Sequence, residues 1–203
     1  MLVLPRSTGE RPVRSSPFIA RRCEQIAARA GVSRPTVFSV GSKAQLFTLA
    51  RQHAATGGSL TANDEGFQQL LAILDAHRLL DEFAAFTAAI SQRLGRLQLV
   101  LEQAAGTDPE LAHLLESSQQ ELLECASGVV AAAAASGVVA AAAATGSLRP
   151  DIPREAAVDV LWLQIQPANY RRLVEERGWS HHAFERWHAA AMIADLLEPP
   201  GAR

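Results

Sequence analysis

The chain reads as an all-α protein, a short helix-turn-helix head followed by a larger multi-helix body. Three observations lead to that reading. The 203 residues are rich in Ala and Leu, poor in aromatics and free of alternating β-branched runs, a composition that favours helices. From Leu80 onward, Phe83, Phe86, Ile90, Leu94, Leu97 and Leu101 follow one another in steps of three and four, the spacing of one helical face. The chain is also punctuated throughout by residues that start or stop helices. Its length suits one or two domains with a sizeable core.

Residues 1–22 hold Pro5, Pro12 and Pro17 among Ser, Gly and Arg, and read as an irregular segment. The pattern then changes. Ile26, Ala27 and Ala30 fall on one helical face, and Gly31 stops that helix, because Gly takes the positive φ that other residues resist. Ser33 has the side chain of an N-cap, and Pro35 is tolerated in a helix's first turn, so a second helix starts at Ser33 or Arg34. Ala27, Gly31 and Val37 hold the three places that matter in a helix-turn-helix: close crossing, turn, and apolar lock. Ser42 and Gln45 then form a capping box that opens a helix over 43–55. Leu46, Leu49, Ala50 and His53 share one face of it. Lys43, the only Lys of the chain, sits in its first turn. The helix dipole disfavours a cation there by about 0.3–1 kcal/mol, so an external phosphate is the functional reason for it. Gly57, Gly58 and Ser59 end the helix, and a polar loop over 57–66 separates a head of residues 23–56 from a body of residues 67–198.

In the body, a helix over 67–76 carries Leu70, Leu71 and Leu74 as its stripe, and the long stripe ending at Leu101 makes a helix over 78–104 that Gly106 closes. Asp108 and Pro109, as N-cap and first position, open a helix over 109–146. That helix contains an exact repeat, SGVVAAAAA at 127–135 and again at 136–144. Nine residues leave a half-turn remainder, so the second Val pair faces opposite to the first unless the helix bends near Gly137. The uncharged stretch from Cys125 to Leu148 is long, but Ala is nearly neutral to lipid, and a buried helix is expected rather than a membrane span. A Pro-bearing loop over 146–153 precedes a helix over 154–166 that Pro167 bends or ends, and a short helix over 168–177 is capped by Gly178. Ser180 opens a last helix to Leu197, with Phe184, Trp187, Ala191 and Ala194 along one face and His188 and Met192 beside it.

Charge is divided along the chain. Residues 1–53 hold nine basic and two acidic side chains, a net of +7, while the remainder carries −9. A basic head on an acidic body fits nucleic-acid binding. Cys23 and Cys125 are in no metal or redox spacing, and the N-terminus lacks the apolar core of a secretory signal, so a reducing, cytoplasmic compartment is expected. The adjacent His181 and His182 diverge on a helix, and although His182 with Glu185 has ligand spacing, no metal site is expected. The chain has no Gly-rich phosphate loop and no nucleophile elbow, so neither a cofactor nor an enzyme is expected. Phe67, Phe83 and Phe86, with Ile90 and Trp162, are candidate lining for a small-ligand pocket, against the plainer reading of core packing.

The stretch QIAARAGVSRPTVFSVGSKAQLF resembles the DNA-binding motif of the tetracycline-repressor family, through IAARAGVS, TVF, SK and LF. The step from Phe38 to Lys43 is five, one shorter than is usual in that family, and its amphipathic first helix has no counterpart legible in residues 1–22. More loosely, RPDIPREAAVDVLW, NYRRLVEERGWS and FERW resemble the C-terminal regulatory domain of the family. The resemblance implies a homodimeric transcriptional regulator, a repressor, whose grip on a double-stranded DNA operator is controlled by a small apolar ligand, with no membrane partner. It implies that Ser33–Ser39 enter the major groove, with Arg34, Pro35 and Thr36 facing the bases, Phe38 at the backbone and Lys43 on a phosphate. It also implies that two C-terminal helices, carrying Val160, Leu161, Phe184, Trp187, Ala191 and Met192, pair with those of a second copy. The alternative is a dimeric ligand-binding or interaction module with impaired DNA binding, followed by a helical enzyme.

Overall fold

A computed structural model describes residues 24–25, 27–54, 65–140 and 148–198, without the side chains of 137–140. Among these residues the secondary structure is helical, with one isolated antiparallel bridge between Leu148 and Leu197 and no strand. The irregular segment expected over 1–22, Ile26, and the polar loop as far as residue 64 lie outside the described residues. The chain divides into two compact units, Met1–Leu46 and Phe47–Arg203, and the division falls inside a helix rather than at the expected loop.

In the first unit a helical turn over 27–30 (α1) stops at Gly31, whose φ is +65°. The amide of Val32 closes it by donating to the Ala27 carbonyl at 3.0 Å. α2, Arg34–Ser39, follows after a three-residue connection, Gly31 to Ser33. α3, Lys43–Ala54, opens in the first unit and its second half belongs to the other.

The second unit is arranged around α5, Ala76–Ala105, with α4 (Glu65–Leu71), α6 (Pro109–Ala140), α8 (Pro167–Tyr170), a π-helical turn (Arg171–Glu176) and α9 (His181–Leu196) packed against it. α7, Arg154–Gln164, lies on α6 and α9. Leu79, Leu80, Phe83 and Leu101 of the α5 stripe are fully buried, and Ile90 and Leu94 nearly so. Each such side chain contributes about 1.5–3 kcal/mol of burial, which is what holds so long a helix. The Asp75 carboxylate caps it by accepting from the Arg78 amide at 2.8 Å.

The expected elements shift where packing, not pattern, decides. α4 begins at Glu65, inside the span read as loop, because Phe67 is buried against Phe83. It ends at Leu71, so Leu74 falls in the following turn and is 70 % exposed. α6 opens as expected, with the Asp108 carboxylate accepting from the Glu110 amide at 3.2 Å. Its backbone is helical through Gly137 to Ala140, while 141–147 lie outside the described residues. Val129, Val130 and Ala133 on the first repeat are buried, as is Ser136, which opens the second. Among the described residues no helix is long and apolar enough to cross a membrane.

Pro167 ends α7 rather than bending it, and the corner is held by a reciprocal amide pair, Gln119 and Gln166, at 3.3 and 3.2 Å. The span expected as one short helix, 168–177, is a single α-turn continued by a π-turn, in which the Arg177 amide reaches the Arg172 carbonyl. Gly178, with φ +75°, then reverses the chain. On α9 the expected face is corrected. The buried row is Phe184, His188, Met192 and Leu196, a straight run in steps of four, whereas Trp187 is 40 % exposed and Ala194 exposed. Both rows satisfy helical spacing; the choice is made by α5, against which α9 lies. The Arg149 amide donates to the Leu196 carbonyl at 3.0 Å and so pins the end of α9 to the connection before α7.

Candidate functional site

The head is assembled by local chemistry. A six-residue helix such as α2 has no stability of its own, because nucleation is costly and few backbone bonds form. Ser33 supplies its cap: the hydroxyl oxygen accepts from the Thr36 amide at 3.3 Å, with Ser33 in an extended conformation and Pro35 in the first turn. Val37 is the buried side chain of α2, 4 % exposed, and Ala27 on α1 is equally buried. The capping box of α3 is complete and reciprocal. The Ser42 amide donates to Gln45 Oε1 at 2.7 Å, and the Gln45 amide donates to Ser42 Oγ at 3.3 Å. Gly41, at φ +125°, is part of the same device. That φ disfavours any residue but Gly, and a Cβ there, 1.7 Å from Gln45 Oε1, would push the Gln45 side chain out of the box.

Ser33, Arg34, Pro35, Thr36, Phe38, Ser39 and Lys43, the residues expected at DNA, are all exposed. Ser33, Arg34, Thr36 and Ser39 already use hydrogen-bonding groups within the head. The Ser33 and Thr36 hydroxyls meet at 2.7 Å, and the Ser39 hydroxyl donates to the Thr36 carbonyl at 2.9 Å. Arg34 Nη1 donates to Glu24 Oε1 at 2.5 Å, an ion pair between two exposed side chains. Val32, Phe38 and Val40 expose 42–49 % of their surface. Glu24 is the residue that sequence reasoning missed. It precedes Arg34 by ten positions, and no helical step links them.

In the body, Phe67 stands 6.1 Å from Phe83 and 6.4 Å from Phe86, centroid to centroid. Phe67, Phe83 and Ile90 are buried and Phe86 and Trp162 half-buried. The three Phe rings pack on one another. Ile90 alone of the five expected residues lines a described cleft, which it shares with Leu94, Leu122 and Pro167 as apolar floor and Arg51, Gln98, Ser118 and Glu121 as polar groups. The cleft is open to solvent, and its cavity of about 20 Å³ has room for about one water molecule. Burial raises the Glu121 carboxyl above its usual range, against the opposing pull of Arg51, and Glu124 adds to the rise. Gln98 and Ser118 are buried polar residues, and Gln98 Nε2 donates to Glu102 Oε1 at 3.4 Å.

Of the residues expected between two copies, Leu161, Phe184 and Met192 are buried inside their own chain and offer no surface to a partner, which corrects their assignment. Val160 and Ala191 are half-buried, and Trp187 is exposed with its ring edge-on to Trp179 at 5.9 Å. Leu163, on the same helix α7, is 62 % exposed.

His188 was read as a neighbour of the α9 face and is instead its buried polar centre. Thr87 Oγ1 lies within reach of the Phe83 and Ala84 carbonyls, at 2.9 and 3.2 Å, and of His188 Nε2 at 3.2 Å. The hydroxyl has a single hydrogen, which goes to a carbonyl, so Nε2–H is the donor to Thr87 and Nδ1 is left as an acceptor. Nδ1 meets no donor. The ring stacks on Phe184 at 5.0 Å, and burial pushes its pKa down to about 4. Cys125 is pushed up to about 11 by burial and by Glu121 and Glu124, and is a neutral thiol at pH 7. His182 Nδ1 and Glu185 Oε2 meet at 3.4 Å on the surface, and the described residues contain no group of three His, Cys, Asp or Glu side chains able to hold a metal ion.

Comparison with protein-family models, with curated proteins and with solved structures gave no match to this chain.

The His188 environment sets a pH dependence. Its pKa is about 6.5 unfolded and about 4 folded, so the unfolded chain takes up the proton first as pH falls. Stability is therefore fully present above pH 6.5 and is lost between 6.5 and 4, by about 3 kcal/mol. Urea denaturation at pH 7.5, 5.5 and 4.5 is expected to show this loss in the wild type, and a visibly smaller one in His188→Phe.

Proposed function

We propose that the chain is a homodimeric DNA-binding transcriptional regulator of the tetracycline-repressor type, a repressor whose operator binding responds to a small ligand. The observation that carries this reading is the head. Gly31 in the left-handed region, a Ser33 cap, a buried Val37 and an intact capping box under Lys43 leave an exposed run from Ser33 to Ser39 and Lys43. That arrangement suits insertion of α2 into a major groove with Lys43 near a phosphate. The +7 charge of residues 1–53 supports the same partner. In this reading the chain works by binding and catalyses nothing.

The ligand of this reading is a small apolar molecule held by the body; the cleft at Ile90 joins an apolar floor to a few polar groups, and its cavity of about 20 Å³ has to widen to admit one. Arg51 of α3 lines the same cleft. The contact between copies uses the outward faces of α7 and α9, through Val160, Leu163, Trp187 and Ala191. A second reading, a dimeric module with weakened DNA binding, is favoured by one observation: Val32, Phe38 and Val40 expose 42–49 % of their surface.

A footprint on the promoter of the chain's own gene tests the reading, with protection of a two-fold-symmetric site expected. Lys43→Ala is expected to weaken binding to all duplexes alike and to lower the salt slope by about one. Arg34→Ala is expected to relax discrimination at one base position, by about 1–3 kcal/mol. The same behaviour from both in a salt-titrated binding assay contradicts these roles. For the assembly, Trp187→Glu, which alters an exposed side chain, is expected to give a folded monomer by sedimentation; a folded dimer contradicts the assigned face.

A further inference from the structure

The ion pair between Glu24 and Arg34 has no strong structural explanation. Both side chains are about half exposed, and such pairs contribute little to stability. Arg34 is the first residue of α2, and Glu24 reaches it across the turn from the helix that precedes Gly31. The contact is specific in its atoms: Glu24 Oε1 takes Nη1. A guanidinium has five N–H groups in a rigid planar fork, so occupying Nη1 leaves the Nε and Nη2 edge to face outward. That edge carries two parallel donors. Guanine is the base that shows two adjacent acceptors, N7 and O6, in the major groove. Adenine pairs one acceptor with a donor and cannot satisfy both N–H groups.

We propose that Glu24 is a positioning residue that holds Arg34 with its Nε and Nη2 edge directed at a guanine, so that each half of the preferred duplex carries a guanine read by Arg34. This rests on the DNA-binding reading above and adds to it a base identity and the residue that enforces it. Glu24 has a second effect of the opposite sign. A carboxylate beside Arg34 repels phosphate, so it weakens sequence-independent binding while sharpening the correct contact. Without Glu24 the side chain is free to slide onto the nearest phosphate and act as a point charge.

The test uses the full chain, its preferred duplex selected from random-sequence DNA, and duplexes in which each guanine in turn is replaced by 7-deazaguanine, which removes the N7 acceptor alone. For the wild type, one guanine per half-site is expected to lose about fivefold or more in affinity on replacement. In Glu24→Gln that loss falls to about twofold or less, while affinity for random duplex is unchanged or higher. Arg34→Lys, which has no bidentate fork, loses the same discrimination. A second arm needs no DNA. NMR of the free protein is expected to show hindered rotation at the Arg34 guanidinium in the wild type and free rotation in Glu24→Gln. Free rotation in the wild type overturns the pairing and leaves the DNA-binding reading intact. Full discrimination in Glu24→Gln, or no sensitive guanine, overturns the positioning role. A wild type that selects no duplex removes both the reading and this inference.

Discussion

Burial of one line of side chains along α5 is the constraint on which the body depends. Leu79, Leu80, Phe83, Ile90 and Leu101 are inaccessible to solvent, and α4, α6, α8 and α9 each reach their final place by covering part of that line. The consequences run outward from it. Phe67 meets Phe83, which draws α4 forward to Glu65. α9 lays the row Phe184, His188, Met192 and Leu196 against α5 and turns Trp187 to the outside. A histidine buried in that row can satisfy only one of its nitrogens, and the Thr87 hydroxyl takes it. Burial without a charge to compensate is why the ring is held neutral, since in low dielectric the imidazolium is the costlier form.

The head obeys a different rule. Among its described residues the buried hydrophobic side chains are Ala27 and Val37, and α2, which carries Val37, has only six residues. Its geometry therefore comes from backbone termini that are satisfied locally: Ser33 at one end of α2, Gly41 and the Ser42–Gln45 box at the other. Side chains not needed for packing, Ser33 to Thr36, Phe38, Ser39 and Lys43, remain at the surface, free for the duplex of the proposed function.

Legibility in the sequence follows the same division. Caps and turns are written within four residues, so Gly31, Ser33, the Ser42 box, Asp108, Gly178 and Ser180 could be read directly, and the structure has each in that role. The α5 stripe was legible because its period runs over several turns. Features set by distant partners were not. Two apolar rows are compatible with α9, and only the position of α5 chooses between them. Leu74 continues the spacing of Leu70 and Leu71 but falls beyond the end of α4, because nothing covers it there. Arg34 read as a base contact; its tie to Glu24 joins two helices across a turn, and no periodicity announces such a pair. The expected ligand pocket failed to separate from core for a similar reason, since three Phe rings at helical spacing serve packing and lining equally well until their neighbours are known.

The central claim is that the exposed run from Ser33 to Lys43 is a surface for double-stranded DNA. Amide hydrogen exchange on the full chain, with and without an excess of its selected duplex at low salt, measures this most directly. The account predicts that added duplex slows exchange within residues 33–43, and that single-stranded DNA of the same sequence does so much less. Unchanged exchange over 33–43 with duplex in excess, or slowing confined to the body, would contradict it.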